Sequence, residues 1–188
     1  FSDLHAAMEA AVRYRDGGCE RVDIWVAEGR YHVYGMGLLA GSPSDSIELG
    51  ENIGLYGGFR GGERARSSRV PDSRRTILDA TSPEGEEVYH VVTGADEAVL
   101  DGFYIVNGGA EGPREHRSGG GLVHFSGAMK ISNCTFFDNS ATTAGGAIAV
   151  EGGASLWVEN TWFVGNVSNA EGGALHVSSS GSRVYVRD

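Results

Sequence analysis

Gly145-Gly146-Ala147-Ile148 and Asn160-Thr161-Trp162-Phe163-Val164-Gly165-Asn166 are the two motifs that decide the fold. The first motif has further copies that begin at Gly119 and Gly172, so its three starts lie 26 and 27 residues apart (119 to 145, 145 to 172). The second motif, Asn-x-x-Phe-x-x-Asn, also occupies residues 133–139, an interval of 27 residues (133 to 160). Two different motifs that share one period predict stacked copies of a supersecondary unit.

Each repeat contains short apolar stretches bounded by Gly, Ser and Asn, such as Leu156-Trp157-Val158 and Ile148-Ala149-Val150. Alternation with a period of two residues predicts strands. No helical pattern long enough for a crossover separates these stretches. A repeat of this length, built from several short strands and tight turns, is typical of an all-β parallel β-helix.

Successive coils of a β-helix lie about 4.8 Å apart, so equivalent residues of successive repeats stack directly on one another. We therefore expect Phe136 and Phe163 to form an interior aromatic column. Asn139 and Asn166 are expected to form an amide ladder, because each side chain can donate to one neighbouring coil and accept from the other.

Two further sets of repeat positions suit the corners of the coils. Asn133 and Asn160 are predicted to form a second ladder, and Asn tolerates the left-handed backbone that sharp corners need. Paired glycines suit a corner at which a Cβ atom would clash. These glycines are Gly145, Gly146, Gly172 and Gly173.

The combination of Gly-Gly-Ala-Ile with Phe-x-x-Asn resembles the polymorphic outer membrane protein repeats of bacterial autotransporter passengers. The upstream stretches at residues 24–31, 55–59 and 100–105 are similar to a wider set of secreted or surface right-handed parallel β-helix repeat proteins of bacteria. The resemblance covers most of the chain. It implies a right-handed β-helix at an extracellular or cell-surface location. It implies no catalytic residues, because the motif residues are structural.

The length and composition of the chain limit the number of domains and the kinds of partner that it can bind. A chain of 188 residues suits a single domain over residues 1–188, with its most regular coils at 119–188. The 15 basic and 25 acidic residues give a net charge of −10, which argues against nucleic acid as a partner. No apolar run is long enough to span a bilayer. No Cys/His spacing suits zinc, and neither a metal nor a cofactor is predicted.

The two cysteines, Cys19 and Cys134, are far apart in the sequence. One interpretation is two isolated thiols, with Cys134 as a small filler within the Asn-x-x-Phe box. The other interpretation is a disulfide bond, which the sequence alone does not decide.

Residues 3–14 are predicted to form an amphipathic helix that caps the first coil. Ser2 suits the N-cap position, Asp3 suits the first turn, and Gly17-Gly18 ends the helix. A stack of repeats needs such a cap, because an exposed edge strand can pair with another chain. The apolar face of the helix consists of Leu4, Ala7, Met8, Ala11 and Val12.

No equivalent cap is evident after the coil that begins at Gly172. We therefore expect either that the sequence is a fragment of a longer protein, or that another β-helix segment stacks on this end.

Residues 60–75 form a loop rich in arginine, with arginines at positions 60, 64, 66, 69, 74 and 75. A basic run of this kind could bind a polyanion. The acidic character of the whole chain instead favours a loop in which the arginines pair with Glu63, Asp72 and neighbouring carboxylates.

Polysaccharide-cleaving enzymes also adopt the right-handed β-helix, so an enzyme of this class is an alternative function. Cleavage needs paired carboxylates about 5 to 10 Å apart, or calcium held by carboxylates beside a basic residue. Asp79 and Asp101 are the best carboxylate candidates, with Arg114 or His116 as the basic partner. Each has a structural alternative: Asp101, for example, takes a turn position equivalent to Asn133, where a side chain caps backbone amides.

The sequence therefore predicts a non-catalytic secreted or cell-surface scaffold, similar to an adhesin. A lyase or glycoside hydrolase acting on acidic polysaccharide is the alternative. A binding face for a glycan or a partner protein is predicted at Lys130, Trp157 and Tyr185, which point outward if the residues on either side of each point inward. Lys130 is expected to cover the indole of Trp157. An exposed Glu159–Arg187 ion pair is expected beside this column.

Overall fold

The computed structural model describes residues 3–36, 41–70 and 76–187, within which helix α1 (Leu4–Asp16) precedes a series of short strands. The strands are β1 (Val22–Ala27), β2 (Gly29–His32), β3 (Ile47–Glu48), β4 (Ile53–Phe59), β5 (Thr76–Asp79), β6 (Val92–Thr93), β7 (Ala98–Asp101), β8 (Tyr104–Val106), β9 (Gly109–Ala110), β10 (Leu122–His124), β11 (Ala128–Ser132), β12 (Thr135–Phe137), β13 (Ser140–Ala141), β14 (Ile148–Val150), β15 (Ser155–Glu159), β16 (Trp162–Val164), β17 (Val167–Ser168), β18 (Leu175–Val177) and β19 (Arg183–Arg187). Single 3₁₀ turns lie at Arg66–Ser68 and Arg114–His116.

The strands stack into four sheets that run along one solenoid of about five turns. Sheet 1 has the order β1-β4-β7-β11-β15-β19, sheet 2 has β2-β5-β8-β12-β16, sheet 3 has β9-β13-β17, and sheet 4 has β3-β6-β10-β14-β18. All pairings between these strands are parallel, and each strand inside a sheet pairs with its equivalents in the coils before and after it. The predicted parallel β-helix with one N-terminal helix is therefore confirmed.

The interior is filled by columns of side chains that run from coil to coil. Phe136 pairs in register with Phe163, and their rings stack with centroids 5.4 Å apart at an interplanar angle of 14°. The column continues through Ile105 and Leu78, which are fully buried like Phe136. Phe163 is only half-buried, because it lies in the outermost coil and is covered on one side alone.

Positive φ angles mark the corners of the coils. Asn133 and Asn160 take φ values of 52° and 43° where sheet 1 turns into sheet 2, and Gly102 takes 86° at the same corner one coil earlier. At the start of sheet 4, Gly145 and Gly172 have φ values of 61° and 57°, and a Cβ on either would lie 2.2 Å from a carbonyl oxygen. Both sets of corner positions therefore need residues that adopt left-handed backbone.

Helix α1 extends two residues beyond the predicted end and is capped differently. The carboxylate of Asp3 accepts a hydrogen bond from the Ala6 backbone N–H at 2.7 Å, which makes Asp3 the N-cap. Ser2, the predicted cap, lies outside the described residues. The apolar face of the helix, including Leu4 and Met8, packs into the same core as the coils.

Candidate functional site

The predicted outward column lies on sheet 1. Lys130 pairs in register with Trp157, which pairs with Tyr185. Trp157 and Tyr185 are 39% and 46% exposed, and their nearly parallel rings have centroids 5.1 Å apart at 15°. Because parallel rings in contact lie only about 3.5 to 4 Å apart face to face, the two rings must be displaced sideways. The displacement leaves part of a ring face uncovered on the surface.

The charged residues beside the aromatic pair differ from the prediction. Lys130 Nζ lies 2.6 Å from Glu159 Oε2, and this hydrogen bond holds the pKa of Glu159 below its usual value. Among the residues that the structure describes, Lys130 makes no cation–π contact with Trp157, and Glu159 forms no ion pair with Arg187. The predicted Lys130–Trp157 contact is wrong, because the Glu159 carboxylate competes better for the ammonium group than an indole face does. Arg187 helps to lower the pKa of Glu159 but does not lie within ion-pair distance of it.

A second apolar patch lies on the outer face of sheet 2, and it was not predicted. Trp162 is 66% exposed and Val164 is 48% exposed, while the ring of Phe137 stacks with that of Tyr104 in the coil before at 5.7 Å. The signal was present in the sequence. If Phe163 points inward, its two neighbours must point outward, because side chains alternate along a strand.

Asp101 is a structural residue at the end of β7. Its carboxylate accepts hydrogen bonds from Arg69 Nη2 at 2.7 Å and from Asn133 Nδ2 at 2.8 Å. Asp101 pairs in register with Ser132, one residue before the predicted Asn133 equivalent. The predicted turn position is therefore occupied by Gly102, and Asp101 begins the second ladder as its acceptor.

Asp79 also has a structural role, because its carboxylate is hydrogen-bonded within the stack of coils. It is buried, and its carboxylate accepts hydrogen bonds from Asn107 Nδ2 at 2.9 Å, from the backbone N–H and hydroxyl of Thr81, and from Arg30. Burial by itself would raise the pKa of Asp79, but the hydrogen bonds outweigh burial and lower it. Asp79 and Asp101 end strands of different sheets and share none of these partners.

His116 pairs with a second histidine that sequence reasoning missed. His90 is 5% exposed, and its Nδ1 lies 2.9 Å from the carbonyl oxygen of Gly119, so Nδ1 carries the proton and donates. His90 Nε2 must then accept, and the donor is Nδ1–H of His116 at 2.9 Å. Burial lowers the pKa of His90 to about 4. Arg114 is exposed two residues before His116.

The arginine loop packs across the outer face of sheet 1. The guanidinium groups of Arg66 and Arg69 lie 4.6 and 5.5 Å from the ring centroid of Tyr56. Arg66 pairs with Asp23 at 3.1 Å, and Arg69 pairs with Asp101. These two pairs follow the predicted pattern.

Glu63 does not follow that pattern. Its carboxylate accepts hydrogen bonds from the backbone N–H groups of Arg60, Gly61 and Gly62, which lowers its pKa. Asp72, Arg74 and Arg75 lie outside the described residues.

The two grooves that the described residues form lie at the N-terminal helix, away from the candidate residues. Two grooves of about 370 and 390 Å³ flank α1, and neither is lined by Asp79, Asp101, Arg114 or His116. Within residues 3–36, 41–70 and 76–187, no three His, Cys, Asp or Glu side chains are grouped to hold a metal ion.

The two cysteines are free thiols. Cys19 is exposed, and Cys134 is buried within the solenoid. Burial raises the pKa of the Cys134 thiol to about 12, which keeps it protonated and unreactive at neutral pH. The interpretation of two isolated thiols is therefore the correct one.

Comparison with protein-family models, curated proteins and solved structures finds no match to this chain. In the part of the chain that the structure describes, no helix has the length and apolar character needed to cross a membrane.

Proposed function

We propose that this β-solenoid is a non-catalytic scaffold, similar to an adhesin, that works outside the cell or on a cell surface. The proposal rests on one observation: the two best candidate carboxylates for catalysis already accept hydrogen bonds that hold the structure together. Asp79 and Asp101 are saturated by hydrogen bonds from neighbouring coils and from the arginine loop. A carboxylate whose oxygens accept these structural hydrogen bonds is not free to face a substrate.

An assay on acidic polysaccharides tests this proposal against the polysaccharide-cleaving alternative. We expect no release of unsaturated or reducing sugars above the level of the buffer, with or without added calcium. Release that is lost in Asp101→Asn, while circular dichroism shows a folded chain, would establish the enzyme instead.

The location and origin rest on the resemblance to polymorphic outer membrane protein repeats, and bacterial origin is part of the proposal. The support is the Gly-Gly-Ala-Ile motif together with the Phe-x-x-Asn box, both of which fall on coil corners and interior columns. Protease shaving of intact producing cells is the test. The protein should be digested while a cytoplasmic marker survives, and protection of both would contradict a surface location.

We further propose that the Trp157–Tyr185 pair binds a glycan. An exposed, displaced pair of aromatic rings on the outer face of sheet 1 offers the apolar surface on which the C–H face of a sugar ring can pack. The Lys130–Glu159 pair beside the rings supplies a hydrogen-bond donor and an acceptor for sugar hydroxyls.

Glycan-array binding of wild type and variants tests the aromatic pair. Trp157→Ala should weaken binding to the bound glycans by about tenfold or more, because exposed Trp residues are frequent hot spots. Trp162→Ala is a matched control, since Trp162 is exposed on a different sheet. Equal binding by wild type and Trp157→Ala would leave the pair as a shield for the sheet face only.

A further inference from the structure

His124 is a buried histidine whose ring nitrogens have no partner. The residue ends β10 and is fully buried. Among the residues that the structure describes, neither Nδ1 nor Nε2 of its ring makes a hydrogen bond. Buried polar groups are nearly always paired, and each exception calls for an explanation such as strain, a catalytic role or a bound ion. His124 therefore has ligand atoms that the fold itself leaves unused.

The column of residues to which His124 belongs is otherwise apolar. The register between β6 and β10, extended by one residue, brings His124 over Gly94 in the coil before. In the coil after, His124 pairs with Val150, which is fully buried and pairs in turn with Val177. A valine at position 124 would fill this column without burying an unpaired polar group. Packing alone therefore does not require a histidine here.

A thioether lies beside one of the unpaired imidazole nitrogens. A Cβ atom placed on Gly94 would lie 2.7 Å from His124 Nδ1 and 2.8 Å from Met129 Sδ, so these two atoms lie within about 5.5 Å of each other. Met129 belongs to β11 and is 1% exposed. Because Gly94 has no side chain, the imidazole and the thioether both border the space that a side chain at position 94 would take.

An imidazole nitrogen beside a thioether sulfur is a ligand set for a soft cation. Thioether sulfur selects Cu(I), and imidazole also binds copper, whereas magnesium and calcium take oxygen ligands. Metal bonds to imidazole nitrogen and to sulfur are about 2.0 and 2.3 Å long, so an ion with these two ligands spans about 4.3 Å. That span fits between His124 Nδ1 and Met129 Sδ, which lie no more than about 5.5 Å apart.

The surroundings of the His124 ring also suit a cation. Burial lowers the pKa of His124, so the ring is neutral at neutral pH, which is the form that binds metal ions. The backbone groups of Gly94, Gly127 and Ser155 and the carboxylate of Asp96 act in the opposite direction, since each favours a positive charge on the ring. A cation bound at Nδ1 supplies the positive charge that these groups attract.

We propose that His124 Nδ1 and Met129 Sδ bind one soft monovalent cation, Cu(I), at the corner between sheets 4 and 1. The exposed turn at residues 125–127 is the route by which the ion enters. The bound ion links the end of β10 to β11, and because it binds the folded chain it stabilises that chain. The inference goes beyond the scaffold role, since it requires neither the surface location nor glycan binding.

Titration with Ag(I), a redox-inert ion that takes the same soft ligands as Cu(I), tests the site. All samples carry Cys19→Ser, because the exposed Cys19 thiol would itself bind a soft cation. The methionine methyl groups are isotope-labelled for NMR. We expect one equivalent of Ag(I) to shift the signal of Met129 and to leave those of Met8 and Met36 in place. Cu(I) kept reduced with ascorbate should shift the same signal, and Mg²⁺ should shift none.

Two variants each remove one ligand and substitute the residue that the next coil has at the same position. His124→Val copies Val150, and Met129→Leu copies Leu156, so both side chains suit the stack. Each variant should weaken Ag(I) binding about hundredfold or more, because a site with two ligands loses half of its donors. His5→Val on α1 is the matched control and should bind Ag(I) as tightly as the wild type.

Three results would overturn the proposal. The first is a Met129 signal that does not move at one equivalent of Ag(I). The second is a shift of the Met8 or Met36 signal in its place, because the ion would then bind elsewhere. The third is unchanged Ag(I) binding by Met129→Leu or His124→Val, with circular dichroism showing that the variant is folded. If His124→Val does not fold, Met129→Leu decides the third result.

Discussion

At the scale of single residues, position in the stack decides what each polar side chain does. Asn139 is fully buried, yet it satisfies the backbone N–H of Gly108 and the carbonyl of Ile105. Asp79 and Asp101 link coils through side chains instead, by accepting hydrogen bonds from Asn107 and Asn133. Residues that look chemically interesting in the sequence therefore hold neighbouring coils together.

Asn139→Leu should strongly destabilise the protein. Leucine has a similar size but leaves a buried donor and a buried acceptor unpaired, which costs about 1 to 3 kcal/mol for each group. Urea unfolding should show a free energy of unfolding lower by about 2 to 5 kcal/mol. Asn169→Leu is the matched control, because Asn169 is exposed, and it should change the free energy of unfolding little. Equal losses for both variants would mean that the ladder does not act through burial.

His90 should make stability fall as the solution becomes acidic. Burial holds the pKa of His90 at about 4, against an ordinary value of 6.5. The folded state therefore binds fewer protons than the unfolded state between these values. The stabilisation is complete above about pH 6.5, falls as the pH drops, and is lost at about pH 4, a change of about 3 kcal/mol. Burial also lowers the pKa of His124, which adds to the loss in the same direction.

Urea unfolding at several pH values between 7 and 4 measures this loss. In His90→Asn the amide nitrogen can keep a hydrogen bond to Gly119 but no group titrates, so the decrease should become much shallower. A decrease as steep as that of the wild type would exclude His90 as its main source.

At the scale of elements, regular coils were predictable from the sequence and irregular ones were not. From residue 119 onward, two motifs fix the phase, and the predicted pairs Phe136–Phe163 and Asn139–Asn166 are in contact. The coil before it has glycine, Gly102 and Gly108, at the two asparagine positions, so the sequence pattern puts Asp101 one residue away from its true register with Ser132.

Contacts that depend on loop conformation, or on competition between side chains, could not be predicted from the sequence either. His90 and His116 meet only because an excursion from the solenoid folds back onto it. Lys130 pairs with Glu159 and not with Trp157 because the ion pair is the stronger of the two contacts. A repeat pattern carries no information about such relative strengths.

The cap helix gives a prediction at this scale. Met8 packs into the core below α1, so Met8→Lys should loosen the helix and expose the edge of β1. We expect a less stable protein that self-associates, since free strand edges pair with other chains. Light scattering during urea titration measures both effects. Glu9→Gln on the exposed side of α1 is the control, and aggregation of that variant alone would contradict the capping role.

At the scale of the whole molecule, the chain is a stack in which each coil contacts mainly its neighbours. Such a molecule is rigid along its axis, and its stability is close to a sum of coil and interface contributions. The outer face of sheet 1 changes along the stack: the arginine loop covers it around Tyr56, while the aromatic pair at Trp157 and Tyr185 is open.

Crosslinking of engineered cysteines tests the stacked register most directly. In a Cys19→Ser background, Trp157→Cys and Tyr185→Cys lie one coil apart, within the span of a thiol crosslinker of about 5 Å. Lys130→Cys and Tyr185→Cys lie two coils apart, about 10 Å, beyond that span. Intact-protein mass spectrometry should show rapid intramolecular crosslinking of the first pair and little of the second. Failure of the first pair, or equal crosslinking of both, would contradict the stack of coils on which every other conclusion depends.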